Sequence, residues 1–125
     1  MPTVSSSPCV LVVDDDPDIR ATVEQILRIE GYAVVAARNG QEALAAIESV
    51  RPAVIILDLM MPVMDGVEFG RRLREHPAAS TPVIVLSADR DLERKARFID
   101  ADDCIAKPFE IDDLVRAVGR FAPLI

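Results

Sequence analysis

Short apolar runs of strand length alternate with amphipathic, helix-like segments throughout this chain of 125 residues. The strand signals fall at 10–13, 32–37, 54–57, 83–86 and 104–106. Between them, apolar residues recur at helical spacing, as Ile19, Val23 and Ile26 do after the first run. Parallel neighbours in a sheet need a crossover of this kind, because a short turn can join only antiparallel strands. The alternation therefore predicts five parallel strands with five helices on the two faces of one sheet.

The third run, 54–57, is apolar at every position, which is typical of a strand covered on both faces. Doubly wound sheets of five strands commonly adopt the flavodoxin-like strand order 2-1-3-4-5. A chain of this length with 50% hydrophobic residues suits one compact domain. We therefore predict a flavodoxin-like α/β domain at 9–125, preceded by a flexible polar tail at 1–8.

Four of the five runs end on a polar residue of high chemical reactivity. The first run ends on Asp14 and Asp15, the third on Asp58, the fourth on Ser87 and the fifth on Lys107. The carboxyl ends of parallel strands meet at one edge of the sheet, where such folds bind ligands. We therefore expect three carboxylates, a hydroxyl and an ammonium to share one site.

Three neighbouring carboxylates repel one another and raise at least one pKa, unless a cation lies between them. Oxygen ligands suit Mg²⁺, whereas the absence of His or Cys beside the acids makes zinc and copper poor candidates. Asp58 can then serve as a nucleophile that forms an aspartyl phosphate. Lys107 would neutralise charge on the phosphoryl oxygens, and Ser87 would hydrogen-bond one of them.

Other polar residues have simpler interpretations. Asp16 and Asp18 suit the N-terminus of a helix, where capping and the helix dipole favour acids. His76, the only histidine, lies at a helix end before a proline and fits a surface role. We interpret the acids at 102–103 as solvated charge.

Composition excludes several classes of protein. A net charge of −7 and a pI near 4.6 argue against direct nucleic-acid binding, which needs clustered basic residues. The polar opening segment has neither a basic start nor a long apolar stretch, so we expect no membrane insertion and a cytoplasmic location. Cys9 and Cys104 lack the spacing of a metal site and are interpreted as buried free thiols.

The polar strand ends lie in four ordered motifs: Val12-Val13-Asp14-Asp15-Asp16-Pro17, Asp58 with Met61-Pro62 and Asp65-Gly66, Ser87-Ala88, and Lys107-Pro108-Phe109. With these motifs the chain resembles response-regulator receiver domains of two-component signalling, of the stand-alone, chemotaxis-regulator-like kind. The resemblance covers nearly everything after the tail. It implies a phosphorylation-gated switch with slow self-dephosphorylation and not a metabolic turnover enzyme.

The resemblance also implies roles for individual residues. Asp58 is the implied phospho-acceptor, Ser87 the switch hydroxyl and Lys107 the lysine of the site. The implied Mg²⁺ ligands are Asp14, partly through water, Asp15, Asp58 and the backbone carbonyl of Met60. Control of dephosphorylation is implied at Met60 and Asp89.

The resemblance further implies partners. A phosphohistidine on a sensor histidine kinase or a histidine phosphotransfer protein is the implied donor, for which a small acyl phosphate can substitute. We expect no output domain after 121–125, and we therefore expect the signal to leave through another protein or by onward phosphotransfer.

Two features depart from the family pattern. Cys104 stands three residues before Lys107, where an aromatic residue is usual, so we expect Ser87 to be coupled to the output face through other side chains. The interval from Ser87 to Lys107 is short, and Asp100 occupies a position where glycine is usual. We therefore expect the fourth helix or its leading loop to be short or displaced.

The residues at the strand ends also distinguish a phosphorylation switch from three other functions. A flavodoxin-like electron carrier would need Ser, Thr and Gly after the first strand, where this chain has three acids and a proline. An aspartyl-phosphate phosphohydrolase would need a second acid two residues after Asp58, where this chain has Met60. A degenerate receiver that acts as a constitutive protein-binding module would not need the complete set of acids, hydroxyl and lysine.

Overall fold

A computed structural model describes residues 7–124 of the chain; residues 1–6 of the predicted tail and Ile125 lie outside it. Within the described residues, five strands alternate with five helices. The strands are β1 (Cys9–Val13), β2 (Ala33–Ala37), β3 (Val54–Leu57), β4 (Val83–Ser87) and β5 (Asp103–Ala106). The helices are α1 (Pro17–Glu30), α2 (Gly40–Ser49), α3 (Gly66–Arg74), α4 (Leu92–Phe98) and α5 (Ile111–Phe121). The predicted alternation is confirmed.

The five strands form one parallel sheet in the order β2-β1-β3-β4-β5, as predicted. At its carboxyl edge, Val13 pairs with both Ala37 and Leu57, while Ser87 pairs with Ala106. This register brings the residues that follow β1, β3 and β5 to one edge, together with Ser87 at the end of β4.

Two hydrophobic cores lie on opposite faces of the sheet. Alternate side chains of a strand point to opposite faces, so Leu11 and Val13 enter one core while Val10 and Val12 enter the other. Helices α2, α3 and α4 contribute to the first core, and α1 and α5 contribute to the second. The continuous apolar run of β3 follows from this arrangement, since all four of its residues are buried.

Helix α1 begins directly beside the carboxyl edge of the sheet. The Asp16 side chain accepts hydrogen bonds from the N–H groups of Asp18 and Ile19, at 2.9 and 3.3 Å, and Pro17 occupies the first helical turn. Gly31 ends the helix with φ 113°, a conformation that glycine adopts without strain. The capping interpretation of Asp16 is therefore confirmed.

Helix α4 has seven residues and is the shortest helix in the described part of the chain. It ends next to Asp100, whose φ of 53° lies in the left-handed region that favours glycine. This backbone geometry explains why the family pattern places glycine there. Asparagine and aspartate tolerate the region better than other non-glycine residues, which makes Asp100 an acceptable substitute.

Two interpretations, one of the acids at 102–103 and one of the two cysteines, need correction. The acids Asp102 and Asp103 are more than solvated charge: Asp102 Oδ2 accepts a hydrogen bond from the N–H of Val83 at 2.9 Å, and Asp103 pairs with Arg120 at 3.2 Å. The parallel pairing of β4 and β5 brings the start of β4 against Asp102.

Cys9 and Cys104 are free thiols, as predicted, but they are half-buried instead of buried, because each lies at or next to the start of a strand at one end of the sheet.

Candidate functional site

Asp14 and Asp58 lie side by side where β1 and β3 end. The N–H of Asp58 donates to Val13 O at 2.9 Å, and the N–H of Asp14 donates to Ala37 O at 3.1 Å, so sheet-like pairing continues past the strands. Both acids are buried, whereas Asp15 is exposed. One carboxylate oxygen from each of the three acids lies within 4.8 Å of the others. The predicted juxtaposition of the strand ends therefore produces an acidic cluster with one open side.

Lys107 crosses from the end of β5 to the two buried acids. Its Nζ lies 2.7 Å from Asp14 Oδ2 and 3.2 Å from Asp58 Oδ2. Its backbone N–H donates to Ser87 O at 3.0 Å, and the bond to Pro108 is cis. One ammonium thus serves two buried carboxylates.

The charges of this cluster shift the pKa of two groups. Burial raises the pKa of Asp14, against the opposing effects of the Lys107 hydrogen bond and the Asp16 N–H. The charge of Asp58 adds to the increase. Burial alone would lower the pKa of Lys107, but its hydrogen bond to Asp14 and the charge of Asp58 outweigh burial and raise it. Lys107 therefore stays protonated at neutral pH, and the acids retain an excess of negative charge.

Ser87 is fully buried at the end of β4. Its Oγ accepts a hydrogen bond from the N–H of Asp89 at 3.3 Å. The Asp89 carboxylate turns towards helix α4, where it pairs with Lys95 Nζ at 2.6 Å, and this pairing holds the pKa of Asp89 below its usual value. The hydroxyl thus lies at the end of the strand next to β3, where it is held by its own loop.

The loop after β3 controls the position of Asp58. The N–H of Met60 donates to Asp58 Oδ1 at 3.1 Å, and the Met60 side chain is exposed. Gly66 packs so closely under this loop that a Cβ atom there would lie 2.7 Å from Leu59 Cα. Only glycine fits that contact without moving the backbone, so Gly66 holds the loop against the strand end.

Sequence reasoning missed one residue that contacts this site. Arg20, one helical turn after the Asp16 cap, donates from Nη1 to the backbone carbonyl of Asp14 at 2.8 Å. An arginine on the first turns of a helix is ordinarily a solvated charge, so its type and position alone carried no signal. In the sequence, the only indication of a partner for Arg20 is the pair of acids Asp14 and Asp15 just before the helix.

The structure thus brings together Asp14, Asp15, Asp58 and Lys107, with Ser87 on the adjacent strand end. Met60 lies on the loop next to Asp58, and the role of its carbonyl stays a prediction. His76 lies outside the cluster, with Nε2 2.7 Å from Glu48 Oε1, in keeping with a surface role.

Cys104 lies on β5, three residues before Lys107. It is half-buried and lines an open groove of about 430 Å³ together with Phe109, Arg116 and Arg120. The thiol packs against the first core, whereas the groove is lined by Phe109 and by residues of α5.

Comparison with known proteins agrees with this geometry. The family model described as the response regulator receiver domain matches residues 10–119. The transcriptional regulatory protein PrrA of Mycobacterium leprae is 43% identical over 120 residues, which cover 94% of this chain and 51% of that protein. The chain therefore spans about half the length of the curated relatives it matches.

Solved structures of the same kind have nearly the same fold. Chemotaxis protein CheY4 of Vibrio cholerae has a TM-score of 0.86 and 34% identity, over 93% of this chain and 99% of that one. Response regulator TrrA of Thermotoga maritima, solved with Mg²⁺ and BeF, has a TM-score of 0.82 and 32% identity, over 91% and 98% of the two chains.

The chain belongs to the receiver domain family of response regulators. Members of this family are phosphorylation-gated signalling switches of two-component systems and not metabolic enzymes, and they bind Mg²⁺ at an acidic site. The resemblance drawn from the motifs is confirmed, and the alternatives of an electron carrier or a constitutive binding module are not favoured. Among the described helices, none has the length and apolar character needed to cross a membrane.

Proposed function

We propose that Asp58 accepts a phosphoryl group from a phosphohistidine donor in a Mg²⁺-dependent reaction, and that the resulting aspartyl phosphate switches the protein between signalling states. The observation that carries this proposal is the position of Asp58, buried between Asp14 and Lys107 at the edge of the sheet. Its carboxylate has the N–H of Met60 on one oxygen and the Lys107 ammonium on the other.

Asp58 would act as the nucleophile. A carboxylate oxygen forms a bond to phosphorus while the phosphorus–nitrogen bond of the donor breaks, and that bond's electron pair returns to the imidazole nitrogen. The product is a mixed anhydride on Asp58. Phosphoryl transfer depends mainly on positioning and electrostatics, and the contacts to Met60 N–H and Lys107 hold the carboxylate for this purpose.

The donor set fits Mg²⁺, because three carboxylates converge while the single ammonium that contacts two of them carries only one positive charge. The proposed ligands are Asp14, Asp15 and Asp58, with the Met60 carbonyl. When bound, the ion supplies positive charge to the phosphoryl oxygens as negative charge develops on them.

Ser87 and Lys107 would respond to the new phosphoryl group. Lys107 can turn its ammonium from Asp58 Oδ2 to a phosphoryl oxygen with little movement, because it already contacts the acceptor. Ser87 can donate its hydroxyl hydrogen to another phosphoryl oxygen when it leaves the N–H of Asp89. Hydrolysis of the anhydride by water would then restore the free carboxylate, which makes the switch reversible.

The proposed donor is a sensor histidine kinase or a histidine phosphotransfer protein, and the proposed output is a protein partner or onward phosphotransfer. The net charge of −7 favours a domain that does not itself bind nucleic acid. A cytoplasmic location belongs to the same proposal.

Intact-mass measurement tests the acceptor. The protein is incubated with Mg²⁺ and acetyl phosphate, and we expect the wild type to gain the mass of one phosphoryl group. Asp58→Asn should gain none, whereas the control Asp65→Asn should match the wild type, because Asp65 is an exposed helix cap that asparagine can replace. Repeating the incubation with a histidine kinase tests the donor class.

Two results would contradict the proposal. A wild type without an adduct, from either the small donor or a kinase, would exclude the phosphorylation switch. An adduct that persists in Asp58→Asn would move the acceptor to another residue.

A further inference from the structure

Arg20 reaches back from helix α1 to the acidic loop. Its Nη1 donates a hydrogen bond of 2.8 Å to the carbonyl of Asp14, and its side chain is half-buried. We infer that Arg20 is a positioning residue: it fixes the Asp14–Asp15 peptide and thereby directs the Asp15 carboxylate at the cation. This inference rests on the proposed Mg²⁺ site.

The three acids are held in different ways. Asp14 is held through its carboxylate by Lys107 and the N–H of Asp16, and Asp58 by Lys107 and the N–H of Met60. In the described part of the chain, no hydrogen bond or ion pair reaches the Asp15 carboxylate, which is exposed. Its direction therefore depends on its backbone.

The peptide unit that carries the Asp14 carbonyl also carries the Asp15 N–H. Because this unit is planar, a partner that fixes the carbonyl also fixes the plane from which the Asp15 side chain departs. Hydrogen bonds from a guanidinium are stronger than those between neutral groups, so this one can hold the peptide against rotation.

Arg20 is itself firmly placed. Its backbone N–H donates to Asp16 O at 2.9 Å, in the same loop whose Asp16 side chain caps helix α1. The loop and the first turns of the helix are therefore tied together through the Asp16 cap, the Arg20 backbone and the Arg20 side chain. The guanidinium transmits the position of the helix to the Asp14–Asp15 peptide.

Two roles of Arg20, as a nearby positive charge and as a group that positions the Asp14–Asp15 peptide, predict opposite changes in Mg²⁺ affinity when the arginine is neutralised. A positive charge near the acids opposes the binding of a cation, so its removal would by electrostatics alone strengthen Mg²⁺ binding. Loss of the hydrogen bond would free the Asp15 carboxylate and weaken Mg²⁺ binding. The sign of the change therefore separates the two roles.

Arg28 provides a matched control on the same helix. Its Nη2 donates to the carbonyl of Val34, six residues away, at 3.1 Å, just as Arg20 reaches a carbonyl six residues away. Arg28 lies at the opposite end of α1, where it also pairs with Glu24 at 2.9 Å. Its removal takes away the same charge and the same kind of bond, together with that ion pair, at a distance from the acids.

The experiment is a calorimetric titration of Mg²⁺ into the metal-free protein, supported by Mn²⁺ binding followed by electron paramagnetic resonance. We expect Arg20→Met to bind Mg²⁺ about tenfold more weakly, as for the loss of other groups that orient metal ligands. Arg28→Met should change the affinity by less than about twofold, because salt screens a charge at that distance. Arg20→Lys should recover part of the affinity, because an ammonium can donate to the same carbonyl.

Affinity in Arg20→Met that equals or exceeds the wild-type value would overturn the positioning role, as would an equal loss in Arg28→Met. If urea unfolding shows that Arg20→Met does not fold, Arg20→Lys decides: weaker Mg²⁺ binding than the wild type supports the inference, and unchanged or tighter binding overturns it. A wild-type protein that binds no Mg²⁺ would overturn the proposed site and this inference together, whereas binding by the wild type with no effect at Arg20 would overturn the inference alone.

Discussion

At the scale of single residues, burial of the acids in the site is opposed by their charge and favoured by Lys107. Asp14 and Asp58 are buried together on one ammonium, at 2.7 and 3.2 Å from Lys107 Nζ, and burial raises the pKa of Asp14. At pH values between the ordinary and the raised pKa of Asp14, the folded protein keeps a proton on this carboxylate that the unfolded chain has released. Stability therefore falls as pH rises through that window and stays lower above it. The stability that Lys107 contributes is fully present at neutral pH, below its ordinary pKa, and is lost only as pH rises through its raised pKa.

Neutralising Asp14 should therefore stabilise the metal-free protein. We expect Asp14→Asn to have a higher free energy of unfolding at pH 7, because the cost of burying an ionised carboxylate disappears. The gain should shrink as pH falls towards the ordinary pKa of aspartate, where the wild-type group is also neutral. Urea unfolding between pH 7 and pH 4 in the presence of a chelator measures the difference.

Asp16→Asn is the matched control, since it removes an exposed acid two residues away and keeps the helix cap. It should show neither the stabilisation at pH 7 nor the dependence on pH. Equal stability of the wild type and Asp14→Asn across the whole range would show that burial of the acid has no energetic cost.

At the scale of elements, close contact between α3 and the end of α4 depends on a glycine. A Cβ atom at Gly70 would lie 2.8 Å from Ile99 Cβ and 2.9 Å from Ile99 Cγ2. Arg74, one turn further along α3, donates to the carbonyls of Phe98 and Ile99 at 2.7 and 3.2 Å, which holds the end of the short helix α4. Glycine and arginine together attach α4 to α3.

Gly70→Ala should destabilise the protein, because overlap of the added methyl group with a buried isoleucine costs about 1–3 kcal/mol. This loss exceeds the gain of about 1 kcal/mol that alanine normally brings to a helix. Gly119→Ala, in α5, is the control: no atom of the described residues beyond the helix backbone lies within 4 Å of the position that its methyl group would occupy, so it should stabilise the protein. Chemical denaturation of both variants tests the pair, and a Gly70→Ala protein as stable as Gly119→Ala would refute the packing argument.

The bounds of these elements followed from periodicity and from Gly, Pro and Asp signals, because such signals act within a few residues. The partners across elements did not. The contacts of Ile99 with Gly70 and of Asp102 with Val83 form only because separate elements meet in the folded domain. The type of each residue does not indicate its partner. For the same reason, the sequence does not predict the contact between the Arg20 guanidinium and the Asp14 carbonyl.

At the scale of the whole molecule, a chain of hydrogen bonds links the end of β4 to α4. Ser87 Oγ is held by the Asp89 N–H, and the Asp89 carboxylate is held by Lys95 on α4. Movement of the hydroxyl towards a phosphoryl group would therefore disturb the loop that anchors α4. On β5, by contrast, the small thiol of Cys104 packs against the first core.

Cys104→Tyr should alter the response of the α4 and β5 region to activation, because the larger side chain must displace its neighbours in the first core, to which α4 contributes, and adds a second path from Ser87. Hydrogen exchange of residues 88–106, measured with and without Mg²⁺ and beryllofluoride, reports that response. Cys9→Ser changes the other half-buried thiol and should behave like the wild type. If Cys104→Tyr shows the wild-type response in full, the proposed coupling through other side chains loses its support.

The sequence by itself determined the strand order, the helix starts and the gathering of Asp14, Asp15, Asp58, Ser87 and Lys107 at one edge of the sheet. It could do so because alternation, capping and strand ends are local patterns, and the rules of parallel sheets convert them into a shared site. Tertiary structure alone decided how the site is held: Lys107 divided between two acids, Ser87 bound by its own loop and Arg20 on the Asp14 carbonyl. These contacts depend on distances between separate elements, which local patterns do not specify.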